Sequence, residues 1–208
     1  MVTFKKVQAV YFKLKPDQIL YITSPIKYKE NIESIILTKS AWIRNHFTKL
    51  GSQNHLISEN SIYFFGNLLD LKVEQIKQGK QNYLIEKSAV ILFLKNPSKK
   101  DTYLDQILKA ATYEHINSIL PVWINKTGLS PACFTVRKMK KWGACTKKGK
   151  IIFSSTLICL PPVLIDYIVC HELVHLLHFD HSKKFHLAVA DFLPDVKKLE
   201  KELKMFVR

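Results

Sequence analysis

Short β-favouring stretches run from Thr3 to Leu14 and from Asn60 to Leu94, broken by Gly66, Gly79 and polar clusters. They predict several antiparallel strands. Between them, Lys29 to Leu50 places Ile32, Ile35, Ile36, Trp42, Ile43 and Phe47 at helical spacing, with Gly51 as a natural stop. Another helix is predicted over Thr102–Ile119, ending before Pro121. Two more are expected over Ser182–Phe192 and Asp195–Met205, split by Pro194. There are no internal repeats and no low-complexity linker. Asn96-Pro97-Ser98-Lys99-Lys100 is the one credible boundary. It divides an N-terminal β-rich region with one long helix (1–100) from a second part (101–208), and the class is α+β.

One segment breaks the alternation of apolar and polar residues. From Pro162 to Cys170 the chain reads Pro-Val-Leu-Ile-Asp-Tyr-Ile-Val-Cys, and it continues through Leu173, Val174, Leu176 and Leu177 without a Gly or a further Pro. Length and the lack of breakers predict a buried helix that starts at Pro161-Pro162. Inside it stands His171-Glu172-Leu173-Val174-His175, with His181 six residues later. Histidines four apart share one face of a helix, so both imidazoles reach one metal ion. The adjacent Glu172 is angled away from that ion and suits proton transfer. Two nitrogen ligands, a carboxylate base and an open coordination position are what a zinc hydrolase requires. An ionisable set in an apolar helix is costly unless paired or bound to metal.

The third ligand is a choice between His178 and His181. On an unbroken helix His178 would share the face but sit about 10 Å along the axis from His171, which strains one tetrahedral centre. His181 fits if the helix ends near Phe179-Asp180, where Asp tolerates a turn, and Ser182 caps a new helix. His181 is therefore the expected ligand. His178 is expected behind the ligands or on the surface, and His186 as a candidate donor to substrate.

Upstream, Trp142 to Ser155 predicts a hairpin. Lys147-Lys148-Gly149 supplies the turn, and Ile151, Ile152 and Phe153 a β-favouring run.

Together, Trp142-Gly143-Ala144-Cys145-Thr146, Lys148-Gly149-Lys150-Ile151, Leu157, Pro161, Asp166-Tyr167, His171-Glu172-Leu173-Val174-His175-Leu176, His181-Ser182 and Phe185 resemble the YgjP-like metallopeptidases. These are relatives of the SprT and WLM zinc peptidases. The resemblance is close over about 135–193, and in outline elsewhere. It implies a zincin-like fold in which the His-Glu-x-x-His helix lies beside a hairpin or sheet. It also implies that His171, His175 and His181 bind Zn2+, that Glu172 is the catalytic base, and that the strand beside the helix pairs with an extended substrate. Trp142, Gly143, Tyr167 and His186 are the candidate substrate contacts. A plain structural hairpin, with Trp142 as a core anchor, is the other reading of that strand. The chain departs from the family's usual residues at Ala144 (Ser), Ser154 (Asn) and His186 (Trp), none of them a ligand or the base.

The 208 residues, 47% hydrophobic and 24% charged, are ordinary globular composition. No apolar run long enough to cross a membrane and no signal-like start are present, so a soluble cytoplasmic protein is expected. Cys133, Cys145, Cys159 and Cys170 form no Cys-x-x-Cys pair, which argues against a second structural zinc. The net charge is +15, and Arg137–Lys150 carries seven basic residues and no acid. That run could attract nucleic acid or acidic substrates. Only Arg44, Arg137 and Arg208 are arginines, which counts against specific phosphate or base contacts.

The expectation is a zinc-dependent peptidase acting on a peptide or protein. Tyr167, His186 and Arg137 are candidates for stabilising the oxyanion. The alternatives are a nucleic-acid-associated zinc protein or DNA-associated protease, and a zinc hydrolase of a non-peptide bond.

Overall fold

In the computed structural model, which describes residues 1–14, 19–44 and 54–207, the chain is α+β and divides into two units, Met1–Gln53 and Asn54–Arg208. The Asn96–Lys100 segment lies inside the second unit.

In the first unit, strand β3 (Leu20–Ser24) is central. It pairs parallel with β1 (Val2–Phe4) and antiparallel with β2 (Tyr11–Leu14). A helix follows where the spacing of Ile32, Ile35 and Ile36 predicts one, but α1 covers only Ile32–Thr38. The Thr38 hydroxyl donates to the Ile35 carbonyl at 2.8 Å, and such local bonding competes with the helical ladder at its end. Helical backbone resumes over 40–44. Phe47, Leu50 and Gly51 lie outside the described residues.

The second unit begins with β4 (Asn54–His55). A four-stranded sheet of β5 (Ser61–Phe64), β6 (Asn67–Gln75), β7 (Asn82–Ile85) and β8 (Ala89–Leu94) follows, in the order β5-β6-β8-β7. The expected antiparallel pairing holds at β5–β6 and β7–β8, while β6 and β8 are parallel. Burial explains the order. β8 reads Ala-Val-Ile-Leu-Phe-Leu with both faces largely covered, whereas β7 is exposed throughout. The strand with apolar residues on both faces takes the interior place and the wet strand the edge. Inserting β8 between β6 and β7 makes it parallel to β6.

Helix α2 (Lys100–Thr127) runs eight residues past the expected end, straight through Pro121. Its buried side chains Leu104, Leu108, Ile116, Leu120 and Trp123 form one stripe. Asn117, whose carbonyl Pro121 releases from the helical ladder, is exposed, so water satisfies that group. A helix-interior proline costs about 3 kcal/mol. Continuing the helix buries Trp123 and half-buries Ile124, worth about 1.5–3 kcal/mol for each side chain when fully covered. It also forms a 2.7 Å bond from Trp123 Nε1 to Asp166 Oδ1. Gly128, at φ 70°, closes the helix with a bond to the Ile124 carbonyl.

The rest of the unit is a three-stranded sheet and three helices. β9 (Cys133–Arg137) pairs parallel with β11 (Lys150–Ser154), and β10 (Gly143–Cys145) pairs antiparallel with β11 as the expected hairpin. Gly149 adopts φ 73° in its turn. β10 is an outer strand of this sheet. A 3-10 turn over Ser155–Cys159 leads into α3 (Pro162–Val174). Two bonds lock that turn to α2: Thr112 Oγ1 donates to the Ser155 carbonyl at 2.9 Å, and Ser155 Oγ to Asp105 Oδ1 at 2.7 Å. Helices α4 (Lys183–Phe192) and α5 (Val196–Leu203) follow on either side of Pro194. Finally β12 (Phe206–Val207) pairs parallel with β4.

The β5–β6 turn braces the entrance to α3. Phe65 and Gly66 donate to the Ile158 and Cys159 carbonyls, and Gly66 has φ 78°. A Cβ on Gly66 would lie 2.7 Å from Pro161 Cγ and 2.9 Å from its Cα. Gly66→Ala is therefore expected to destabilise the second unit by about 2 kcal/mol, combining left-handed strain with overlap against backbone. An unchanged urea midpoint for the variant would show that the turn does not brace α3.

Candidate metal and catalytic site

Helix α3 is apolar nearly all round and is buried accordingly, from Leu164 to Val174 with half-buried Asp166 and His171 as the exceptions. Asp166 is held by Trp123. The His171 and His175 rings, one turn apart, have centroids 4.8 Å from each other. Regular helix ends at Val174, earlier than the expected Phe179-Asp180. Past it the ladder tightens, Leu176 and Leu177 donating to Leu173 and Val174. The chain does turn at Phe179-Asp180, where the Ser182 amide donates to Asp180 Oδ1 at 3.3 Å. Ser182 takes the N-cap position of α4 in extended conformation, but its hydroxyl makes no cap bond.

This turn brings His181 over α3. The ligating atoms of His171, His175 and His181 lie within 4.8 Å of one another, the one such group of three among the described residues. His181 Nε2 stands 3.2 Å from His171 Nε2, close enough for one ion to bridge them. Beneath lies Phe185, 1% exposed, stacked on His175 at 4.5 Å and edge-on to the other two rings at 4.8 Å. The His178 ring is not in the group. Its backbone carbonyl accepts from His175 Nδ1 at 2.9 Å. A carbonyl can only accept, so His175 carries its proton on Nδ1 and leaves the Nε2 lone pair free for a metal. Burial lowers the His171 pKa to about 3, with His175, His181 and His186 adding to the effect, and burial also lowers that of His175. Both rings are thus neutral at physiological pH, the form that ligates metal. The donor set fits a divalent ion.

Glu172 is 4% exposed and its Oε2 has no hydrogen-bond partner. Such an orphan is rare in a folded interior and calls for a function or a ligand. Burial pushes its carboxyl up to about 8, against the pull of Lys141, and perturbation of this kind gathers at active sites. β10 reaches this carboxylate because Gly143 has no side chain: a Cβ there would fall 2.5 Å from Glu172 Cγ and 2.6 Å from its Cδ.

Between β10 and α3 opens a cavity of about 450 Å³. Trp142, Gly143 and Tyr167 line it beside the three histidines and Glu172, as do Lys141, Phe179 and Leu203. Trp142 also packs against the core, so the anchor reading has support. His186 and Arg137 are exposed and do not line the cavity. The His186 ring centroid is 6.3 Å from that of His181. The Tyr167 hydroxyl donates to Glu200 Oε1 at 3.4 Å, and burial and Glu200 raise its pKa. Lys141, Phe179 and Leu203 escaped sequence reasoning. The basic run contained Lys141 but gave no reason to single it out, and nothing local ties Leu203 to a motif some thirty residues earlier.

The family model described as YgjP-like, metallopeptidase domain, matches residues 8–206, nearly the whole chain. No curated protein and no solved structure matches it.

Elemental analysis of purified protein is expected to find about one divalent ion per chain. His181→Ala should strip or greatly weaken it, while His178→Ala, which keeps the backbone carbonyl, should leave it nearly intact. Full retention in a His171→Ala/His175→Ala double variant would eliminate this site.

Proposed function

The chain belongs to the YgjP-like metallopeptidase family, and on that premise we propose that it is a zinc-dependent peptidase whose ion is held by His171, His175 and His181 and whose general base is Glu172. The observation that carries this reading is the buried, unpartnered Oε2 of Glu172 beside three converging imidazoles. A purely structural zinc site has no use for such a base and leaves no open position. When bound, zinc supplies a Lewis acid that polarises the substrate carbonyl and eases the ionisation of water.

The chain's own groups do the rest. Glu172 Oε2 has no protein partner, and in the ionised form, which the charge of Lys141 favours, it takes the proton of the attacking water. Burial holds that proton on the carboxyl until Glu172 delivers it to the nitrogen as the C–N bond breaks, so that the nitrogen departs as a neutral amine. Phe185 holds the three rings in place from below, and the His178 carbonyl fixes the His175 tautomer. The outer edge of β10, unpaired among the described residues, offers its backbone to an extended peptide, aligning it without reading side chains.

A cytoplasmic setting is part of the proposal. All four cysteines are free, as reduced thiols are in that compartment. No helix among the described residues is long and apolar enough to cross a membrane.

Glu172→Gln keeps the shape of the side chain but cannot accept the proton. It should retain zinc and fold while losing peptide hydrolysis by about two to four orders of magnitude, the span of general acid–base help. Turnover near the wild-type rate would remove Glu172 from the chemistry.

A further inference from the structure

The loop that leads into β10 carries Lys138, Lys140 and Lys141 with no acid among them. Lys138 shares a small neighbouring cavity with Asp101 and Asp105, so its charge is partly compensated. Lys140 lines a cavity of about 700 Å³ whose other walls, Leu56, Ile57, Lys138, Met139 and Thr156, hold no carboxylate. Lys141 lines the candidate catalytic cavity, where the one acid is the buried Glu172. Both lysines are exposed, and no carboxylate of the described residues forms an ion pair with either.

Their place along the chain gives these charges a direction. Lys141 stands two residues before Gly143, whose backbone lies against the Glu172 carboxylate. The chain bends at Lys140–Trp142 before β10 begins, so Lys140 lines the neighbouring cavity and Lys141 the catalytic one, at the end of β10 where a peptide lying along the strand would pass.

We propose that the peptide taken by this site is acidic on one side of the bond that is cut, with a carboxylate close to that bond held by Lys141. The inference rests on the peptidase reading above. An exposed ion pair is a modest contact, so each carboxylate is expected to raise kcat/KM by about two- to fivefold. The preference acts largely on encounter and fades with salt.

The test uses zinc-loaded full-length protein and a set of peptides with one common apolar centre, carrying Glu, Gln or Lys two and three residues to either side. The wild type is expected to favour Glu over Gln by about two- to fivefold on one side only. Lys141→Arg should keep that preference. Lys141→Glu should invert it, the ratio of Glu to Lys peptides falling roughly tenfold as an attraction is lost and a repulsion gained. Binding of the same peptides to Glu172→Gln reads the preference without turnover, and zinc content and unfolding midpoint show that each variant keeps its site.

Equal turnover of all peptides by the wild type would overturn the proposal while leaving the peptidase reading intact. So would a loss in Lys141→Glu that is the same for every peptide, since Lys141 would then serve the reaction in general. A DNA oligonucleotide that displaces the acidic peptide with a steep salt dependence requiring Lys141 would assign the lysines to nucleic acid instead. If the wild type cleaves no peptide at all, both readings fall.

Discussion

A carboxylate held in a low-dielectric interior without a hydrogen-bond partner is the constraint on which the rest of this structure depends. Glu172 sits on a helix that is apolar nearly all round, so the fold must keep α3 covered while leaving one carboxylate oxygen reachable from a cavity. Burial alone would cost several kcal/mol for a fixed charge. Raising the carboxyl's proton affinity, with Lys141 tempering the effect, is the response expected of such a group. The same burial keeps the His171 and His175 imidazoles neutral. One environment therefore leaves two imidazoles with free lone pairs beside a carboxyl of raised proton affinity.

Covering α3 falls to elements that do not line the cavity. Helix α2 anchors it through Trp123 and Asp166, and fixes the turn before it through Thr112, Ser155 and Asp105. The β5–β6 turn closes on Pro161, and α4 slides Phe185 under the histidines. Exposure is arranged as narrowly. β10 approaches Glu172 only because Gly143 presents no Cβ, and the hairpin's position at the sheet edge keeps the far side of β10 open. Packing that excludes water from the helix thus coexists with a strip of backbone left free beside it.

Local rules made much of the site legible. The four-residue spacing of His171 and His175, the turn chemistry of Asp180 that selects His181 over His178, and Gly149 in the hairpin turn all follow from neighbours in the chain. Local rules also misled where tertiary energy was larger. Pro121 should end a helix, but the solvent around Asn117 absorbs its missing bond while Trp123 gains a buried site. Hairpin logic made the strands of Asn60–Leu94 antiparallel, but the apolar character of β8 drew it into the interior of the sheet, parallel to β6. Ser182 marks the start of α4 without using its hydroxyl.

The sequence by itself determined the class of chemistry, because ligand spacing, an adjacent carboxylate and an intervening turn are properties of about eleven consecutive residues and of helix geometry. It also determined that α3 would be buried, since a helix apolar all round has nowhere else to go. Only the tertiary structure decided what surrounds that chemistry. Gly143 meets Glu172 across nearly thirty residues of chain, Leu203 closes the cavity from the C-terminal side, and Lys141 comes to its rim, none of which any periodicity encodes. The physical reason is that contacts between distant segments are set by which apolar faces can be buried together, a property of the whole core rather than of any window within it.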